Sequence, residues 1–187
     1  MSASWRAFTF GFGLTMLALI LVGAANLHPR TGQAARPATS SCTASERRQF
    51  DFWVGDWDVF DFGGETRVAR TKVEPILDGC VLLETYEGSD GHKGQSFTLF
   101  DANRKVWHQT WVTNRGELLA IEGVRESQSQ SEAIVMTGDM ASSPEPRRVR
   151  GIWKPVEGGV RETALVSSDG GKTWKPWFDL MFRAHKP

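Results

Sequence analysis

The stretch FDFWVGDWDVF (residues 50–60) decides how this chain is read. It gathers Phe50, Phe52, Trp53, Trp57 and Phe60 around Gly55, immediately after a polar, Ser/Thr-rich lead-in. Residues 1–45 read as targeting segment and linker. Residues 61–187 read as short strands that need a first strand to close against. Eight Trp and eleven Phe against one Tyr, with nineteen Gly among short apolar runs, point to many turns and therefore many strands.

Outward toward the N-terminus, Arg6 precedes an apolar run over residues 7–25, and the first acidic residue is Glu46. A basic start, an apolar run and the small residues Gly23, Ala24 and Ala25 predict a Sec-type signal peptide over residues 1–25, cut after Ala25. At about 19 residues the run is also long enough to span a bilayer, so an uncleaved anchor is the alternative. Either way the following domain is expected outside the cytoplasm, periplasmic or extracellular, with a membrane contact only through an uncleaved N-terminal segment. Residues 26–45 hold Pro, Ser, Thr, Ala and Gly and few large apolar side chains, a linker composition.

The remaining part, residues 46–187, is roughly 140 residues long and large enough for a real core without metals. Lys+Arg and Asp+Glu both number 22, so the formal net charge is zero and no basic face is available to displace counterions from a nucleic acid. The two cysteines, Cys42 and Cys80, are most simply one disulfide in an oxidising compartment, two separate buried thiols being the alternative. There is no CxxC and no His pair at ligand spacing, so the sequence implies no metal and no cofactor. A haem barrel needs only one axial His, for which His108 and His185 are the candidates; His28 falls in the linker and His92 in a turn.

Past residue 60, apolar runs alternate with turn signals. They occupy 65–77, 80–88, 93–101, 105–113, 116–124, 132–139, 147–155, 159–167 and 173–183, separated by pairs such as Asp78-Gly79 and Asn114-Arg115. A short helical turn at residues 44–49 has Ser45 as its expected cap. About ten consecutive short strands with tight turns predict an all-β antiparallel up-and-down barrel, because closure removes the exposed edges. An open sandwich with a filled core is the alternative.

Side chains alternate across a strand, so period-two sets share a face. Trp107, Gln109 and Trp111 lie on one face of their strand, an aromatic clamp with a polar handle suited to a small apolar or aromatic molecule. The plainer reading is a core stripe in which Gln109 bonds a neighbour. Cys80, Leu82, Glu84 and Tyr86 share a face in the same way. If Glu84 points inward it needs a partner such as Arg150 or Arg161, or it has a raised pKa and can serve as an acid or base. Ser96 and Thr98, opposite Phe97, add hydroxyls to such a cavity. SSDGGKTW (167–174) reads as a structural hairpin in which Asp169 bonds the turn and Trp174 packs beneath.

Gly55-Asp56-Trp57 resembles the GxW that opens lipocalin-like (calycin) barrels. That likeness implies that Trp57 packs at the closed end against an Arg of the last strand, here Arg183. Taken in order, FDFWVGDWDV (50–59), GCVLLE (79–84), GQS (94–96), WHQTW (107–111) and SSDGGKTW (167–174) also resemble a bacterial secreted family of unknown function. The resemblance implies a barrel, secretion and Cys42–Cys80 pairing, and no activity. Where that pattern carries Gln and Trp, this chain has Glu162 and Ala164. Three functions stand as expectations: a binding module using Glu84, Trp107, Gln109 and Trp111; a proton-transfer enzyme (isomerase, cyclase or lyase type) using Glu84 or His108; and an envelope structural or interaction domain without a site.

Overall fold

The computed structural model describes residues 41–126 and 132–186. The expected signal segment, most of the linker and His28 lie outside these residues. Among the described residues, no helix is long and apolar enough to cross a membrane.

Ten antiparallel strands form one closed barrel. They are β1 (Gly55–Asp61), β2 (Arg67–Ile76), β3 (Val81–Gly88), β4 (Lys93–Asp101), β5 (Val106–Thr113), β6 (Leu118–Arg125), β7 (Ile134–Met140), β8 (Arg148–Val156), β9 (Gly159–Ser167) and β10 (Lys175–Ala184). Each strand pairs with its neighbours in the chain, and β1 closes on β10 from Trp57 opposite Ala184 to Asp61 opposite Leu180. Closure gives every strand two neighbours and so removes the template for edge-to-edge pairing with another chain. The open sandwich is thereby excluded.

The deciding stretch divides at Val54. Residues Asp51–Trp53 form a 3-10 turn, and the first strand begins only at Gly55. The strand begins at the Gly55 of the GxW, and the half of the stretch before it is a plug. Phe50 stacks on Trp53 at 5.1 Å and meets the edges of Trp107 and Trp153 at 5.4 and 5.6 Å. Trp53 also meets Phe182 of β10. Phe50 and Trp53 are fully buried, so the aromatic load of the sequence is concentrated in sealing one end.

A second 3-10 turn, Ser45–Arg48, occupies the expected helical turn, but Ala44 stands at its N-cap and no side chain caps it; Ser45 is inside the turn, bonded to Glu46. Just upstream, Cys42 is buried and forms a disulfide with Cys80, with Cα atoms 4.9 Å apart. The bridge ties the segment leading into the plug to the β2–β3 turn. The last residues of the expected linker are therefore built into the domain.

Trp57 points inward, and its indole N–H donates to the Trp53 carbonyl at 3.0 Å, fastening plug to barrel. Arg183 is not its partner. It lies opposite Asp58 on the outer face, over the Phe60 ring at 4.5 Å and paired with Glu65 at 3.0 Å. The two residues alternate to opposite faces because Trp57 pairs with Ala184, one residue further along β10.

The last hairpin is held from within. The Asp169 carboxylate accepts the backbone N–H groups of Lys172 and Thr173 at 3.0 and 2.9 Å, and the Ser167 hydroxyl at 2.7 Å. Gly170 and Gly171 supply the positive φ values of 75° and 93° that this turn requires. The Trp174 indole N–H donates to the Gly171 carbonyl.

Candidate functional site

Above the aromatic plug the barrel is not filled. A cavity of about 470 Å³ occupies its other half, within the size range of small-molecule sites. Its floor includes Glu84, Gln109, Ile121, Trp153, Glu162 and Phe182. Exposed Ser89, Asp90 and Trp177 among its lining mark the end that meets solvent.

Period-two alternation brings the polar floor together. Glu84 of β3 lies opposite Ser96 of β4, and Thr98 of β4 lies opposite Gln109 of β5, so all four side chains share the inner face. The Gln109 amide donates to Thr98 Oγ1 at 3.0 Å and reaches Ser96 Oγ at 3.5 Å, and Ser96 donates to Glu84 Oε2 at 2.8 Å. The single Thr71 hydroxyl hydrogen is shared between Glu84 Oε1 at 3.3 Å and the Thr85 carbonyl at 3.0 Å. Glu84 thus rests on hydroxyl groups, 6% exposed, with no cation beside it among the described residues. Burial raises its pKa to about 7, against the opposing pull of the Ser96 and Thr71 hydroxyls.

Neither Arg150 nor Arg161, expected as internal partners, is inside. Arg150 lies over the Trp174 ring at 4.3 Å, and Arg161 pairs with Asp179 and stacks on Phe62. The group facing the same cavity as Glu84 is a second carboxyl, Glu162 of β9. Its pKa is pushed well above the ordinary range, first by burial and then by the nearby Glu84 charge. Part of its side chain remains open to the cavity. Trp153 lies directly opposite it on β8, and the indole N–H favours the ionised form although it makes no hydrogen bond of good geometry.

The WHQTW strand divides by depth. Gln109 and Trp111 line the cavity. Trp107, on the same face, sits one step lower in the plug, 2% exposed, against Phe50 and Phe100. It is a core residue and does not line the cavity. Trp111 meets the Tyr86 edge at 5.8 Å, and His92 packs against both rings while bonding Glu117 at 3.1 Å. A Cβ on Gly94 would lie 2.3 Å from the Trp111 ring, so this glycine is what lets the ring fold across β4. Burial, with neighbouring carboxylates, pushes Tyr86 up to about 12.

Two bulges shape the open end. One falls between Val59 and Phe60 in the β1–β2 pairing and the other between Pro176 and Phe178 in β10. Beside them, Val68, and Trp177 together with its neighbour Phe178, line the cavity. A bulge breaks the strict alternation, so two consecutive residues serve one face.

His108 lies on the outer face, between Glu122 at 2.9 Å and Thr110 at 2.8 Å, and His185 bonds Asp58 at 2.8 Å outside the barrel. Neither reaches the cavity, which removes His108 as a base acting there and both as axial ligands within it. Among the described residues no group of three or more His, Cys, Asp or Glu is placed to hold a metal ion. Glu162, His92 and Trp177 are the site residues that sequence reasoning missed. For Glu162 the signal was its departure from the resembled pattern and for His92 only a polar residue in a turn, and nothing local says what faces either across a barrel.

Fold and cavity together define a closed ten-stranded β-barrel, plugged at one end and hollow toward the other. No protein-family model matches the chain, and no curated protein is significantly similar to it.

Proposed function

We propose that this protein is an exported small-molecule-binding barrel, holding a compact ligand with an apolar or aromatic body in its open half. The observation that carries this reading is the cavity itself. An all-β core of this size closes tightly over the plug, yet leaves about 470 Å³ above it, walled by Trp111, Trp153 and Phe182 and fitted with the Glu84–Ser96–Gln109 chain of polar atoms. Apolar walls with a few convergent polar groups are the usual composition of a ligand site. The Cys42–Cys80 bridge and the signal-like N-terminus support export, and the order of motifs supports membership of the secreted family that the sequence resembles.

The test is titration with N-phenyl-1-naphthylamine, a neutral aromatic dye, read by energy transfer from tryptophan. Binding is expected, and Ala164→Leu, which projects into the cavity, is expected to weaken it at least about tenfold, while Val112→Thr on the outer face leaves it unchanged. Binding that Ala164→Leu does not alter would place the dye elsewhere and remove the proposal.

A second reading is favoured by one observation. Glu84, with a pKa of about 7 and a hydroxyl–amide chain behind it, has the properties of a general acid or base. If the ligand is a substrate, Glu84→Gln abolishes its turnover but keeps its binding. Equal turnover in the variant would end the catalytic reading.

A further inference from the structure

We propose that the ligand is an organic cation, an amine or quaternary ammonium group carried on an apolar or aromatic body. This rests on the small-molecule reading and names the charge class that the same cavity selects.

The first observation is the charge inventory. Among the described residues, five carboxyl groups line the cavity, Asp61, Glu84, Asp90, Glu117 and Glu162, and no Lys or Arg does. Those near the mouth have partners: Asp90 pairs with Arg115 at 2.6 Å, and Glu117 is hydrogen-bonded to His92. The deep pair has no such partner. Glu84 has only hydroxyl neighbours, and Glu162 has Glu84 and the Trp153 ring. Two buried carboxyl groups facing one space without a cation are costly as charges and hold their protons instead.

The second observation is the wall. Tyr86, Trp111, Trp153 and Trp177 surround the same space. The faces of aromatic rings are the negative ends of their quadrupoles, and a desolvated cation gains from them on top of its attraction to carboxylates. The third observation is the Trp153 indole nitrogen, which is buried at the cavity floor without a hydrogen-bond partner while its residue is 2% exposed. Glu162 lies directly opposite it, and its carboxyl is a stronger acceptor ionised than neutral. A cation in the cavity supplies the reason to ionise, and the Trp153 N–H then faces a charged acceptor.

The alternatives fare worse on the same walls. An anion meets five carboxyl groups and no basic partner except His92. A neutral apolar body fits the rings but covers Glu84 and Glu162 and returns nothing for their desolvation. The groups facing the pair are Thr71, Tyr86, Ser96, Gln109 and Trp153, none of which carries positive charge. Cation binding therefore draws protons off the glutamates. Affinity rises with pH.

The experiment uses the full-length protein and three probes of one shape: benzyltrimethylammonium, its neutral isostere neopentylbenzene, and the anion phenylacetate. Calorimetry at pH 8 is expected to give the cation at least about tenfold tighter binding than the isostere, with the preference shrinking at pH 5. Its apparent enthalpy should differ between phosphate and Tris buffers, because a permanently charged ligand can only release the protein's own protons. In Glu84→Gln/Glu162→Gln the cation and the isostere are expected to bind within about threefold of each other. Should the double variant fail to fold, Glu162→Gln alone reads a smaller loss of the same preference. Equal or tighter binding of neopentylbenzene or phenylacetate overturns the cation assignment and leaves the small-molecule site standing. Failure of all three probes to bind overturns both.

Discussion

Glu84 and Glu162 set the chemistry of the interior, and their protonation gives the fold an unusual pH dependence. Each keeps its proton to higher pH in the folded barrel than in the unfolded chain; for Glu84 the interval runs from 4.5 to about 7. Within that window the folded state binds more protons than the unfolded one. The stability they contribute is complete below the window and is lost as pH rises through it. For Glu84 the loss is about 3 kcal/mol, given about 1.4 kcal/mol per pKa unit. Asp56, Asp58 and Asp169 act the opposite way. Hydrogen bonds from Arg70, from His185 and from Thr173, respectively, lower their pKa values, so their contribution is lost only in acid, below the ordinary carboxylate range. Urea unfolding is expected to show a midpoint that falls between pH 5 and pH 8, and Glu84→Gln/Glu162→Gln should flatten that fall. A midpoint that rises over the same range would mean that the pair ionises without cost. At Gly94, replacement by Ala sets a Cβ into the Trp111 ring. The ring must tilt into the cavity, at a cost of about 1–3 kcal/mol measurable by denaturation and with weaker dye binding.

At the scale of elements, the plug carries the closed end. Trp53→Ala empties a site that Phe50, Trp153 and Phe182 surround, and should cost about 3–5 kcal/mol and collapse the near-ultraviolet circular dichroism of the aromatic cluster. The strands themselves were legible. Each run after residue 65 is a strand to within about two residues at either end, because alternation and Gly/Asp/Asn turns are local signals. The strand start at Gly55 was marked by the GxW, but the plug role of Phe50 and Trp53 was not legible, since a dense apolar run is equally good as a strand or as a plug and only the barrel's open bottom decides. Nor was the β10 bulge, where Trp177 and Phe178 are neighbours in sequence and both reach the cavity. Period two also assigned the correct face to Trp107, Gln109 and Trp111 but not their height along the barrel. Height depends on how strands stagger on closing, and it separates Trp107 in the plug from Trp111 in the wall.

For the whole molecule, closure of β1 on β10 turns nine local hairpins into a container, and the disulfide fixes the segment that plugs it. Cys42 and Cys80 lie 38 residues apart, so reduction releases a loop whose closure is worth about 4 kcal/mol on the chain-entropy model. Reduced protein should unfold at a correspondingly lower denaturant concentration, and protection of the plug should be lost first in hydrogen exchange. Alternation put Glu84 on one face with Leu82 and Tyr86 and offered Arg150 or Arg161 as its partner. Its true counterpart in the cavity, Glu162, comes from the far side of the barrel and carries no local mark of that meeting. Cross-barrel pairs are set by strand number and shear, quantities that belong to the closed sheet alone.

The most direct measurement is native mass spectrometry of the protein purified from its own host without denaturation. A ligand-binding barrel should leave the source with a small molecule of defined mass attached, and Ala164→Leu prepared in parallel should leave without it. A single mass equal to the polypeptide in both preparations, with the cavity holding only water in a crystal grown from the same material, would contradict the central claim.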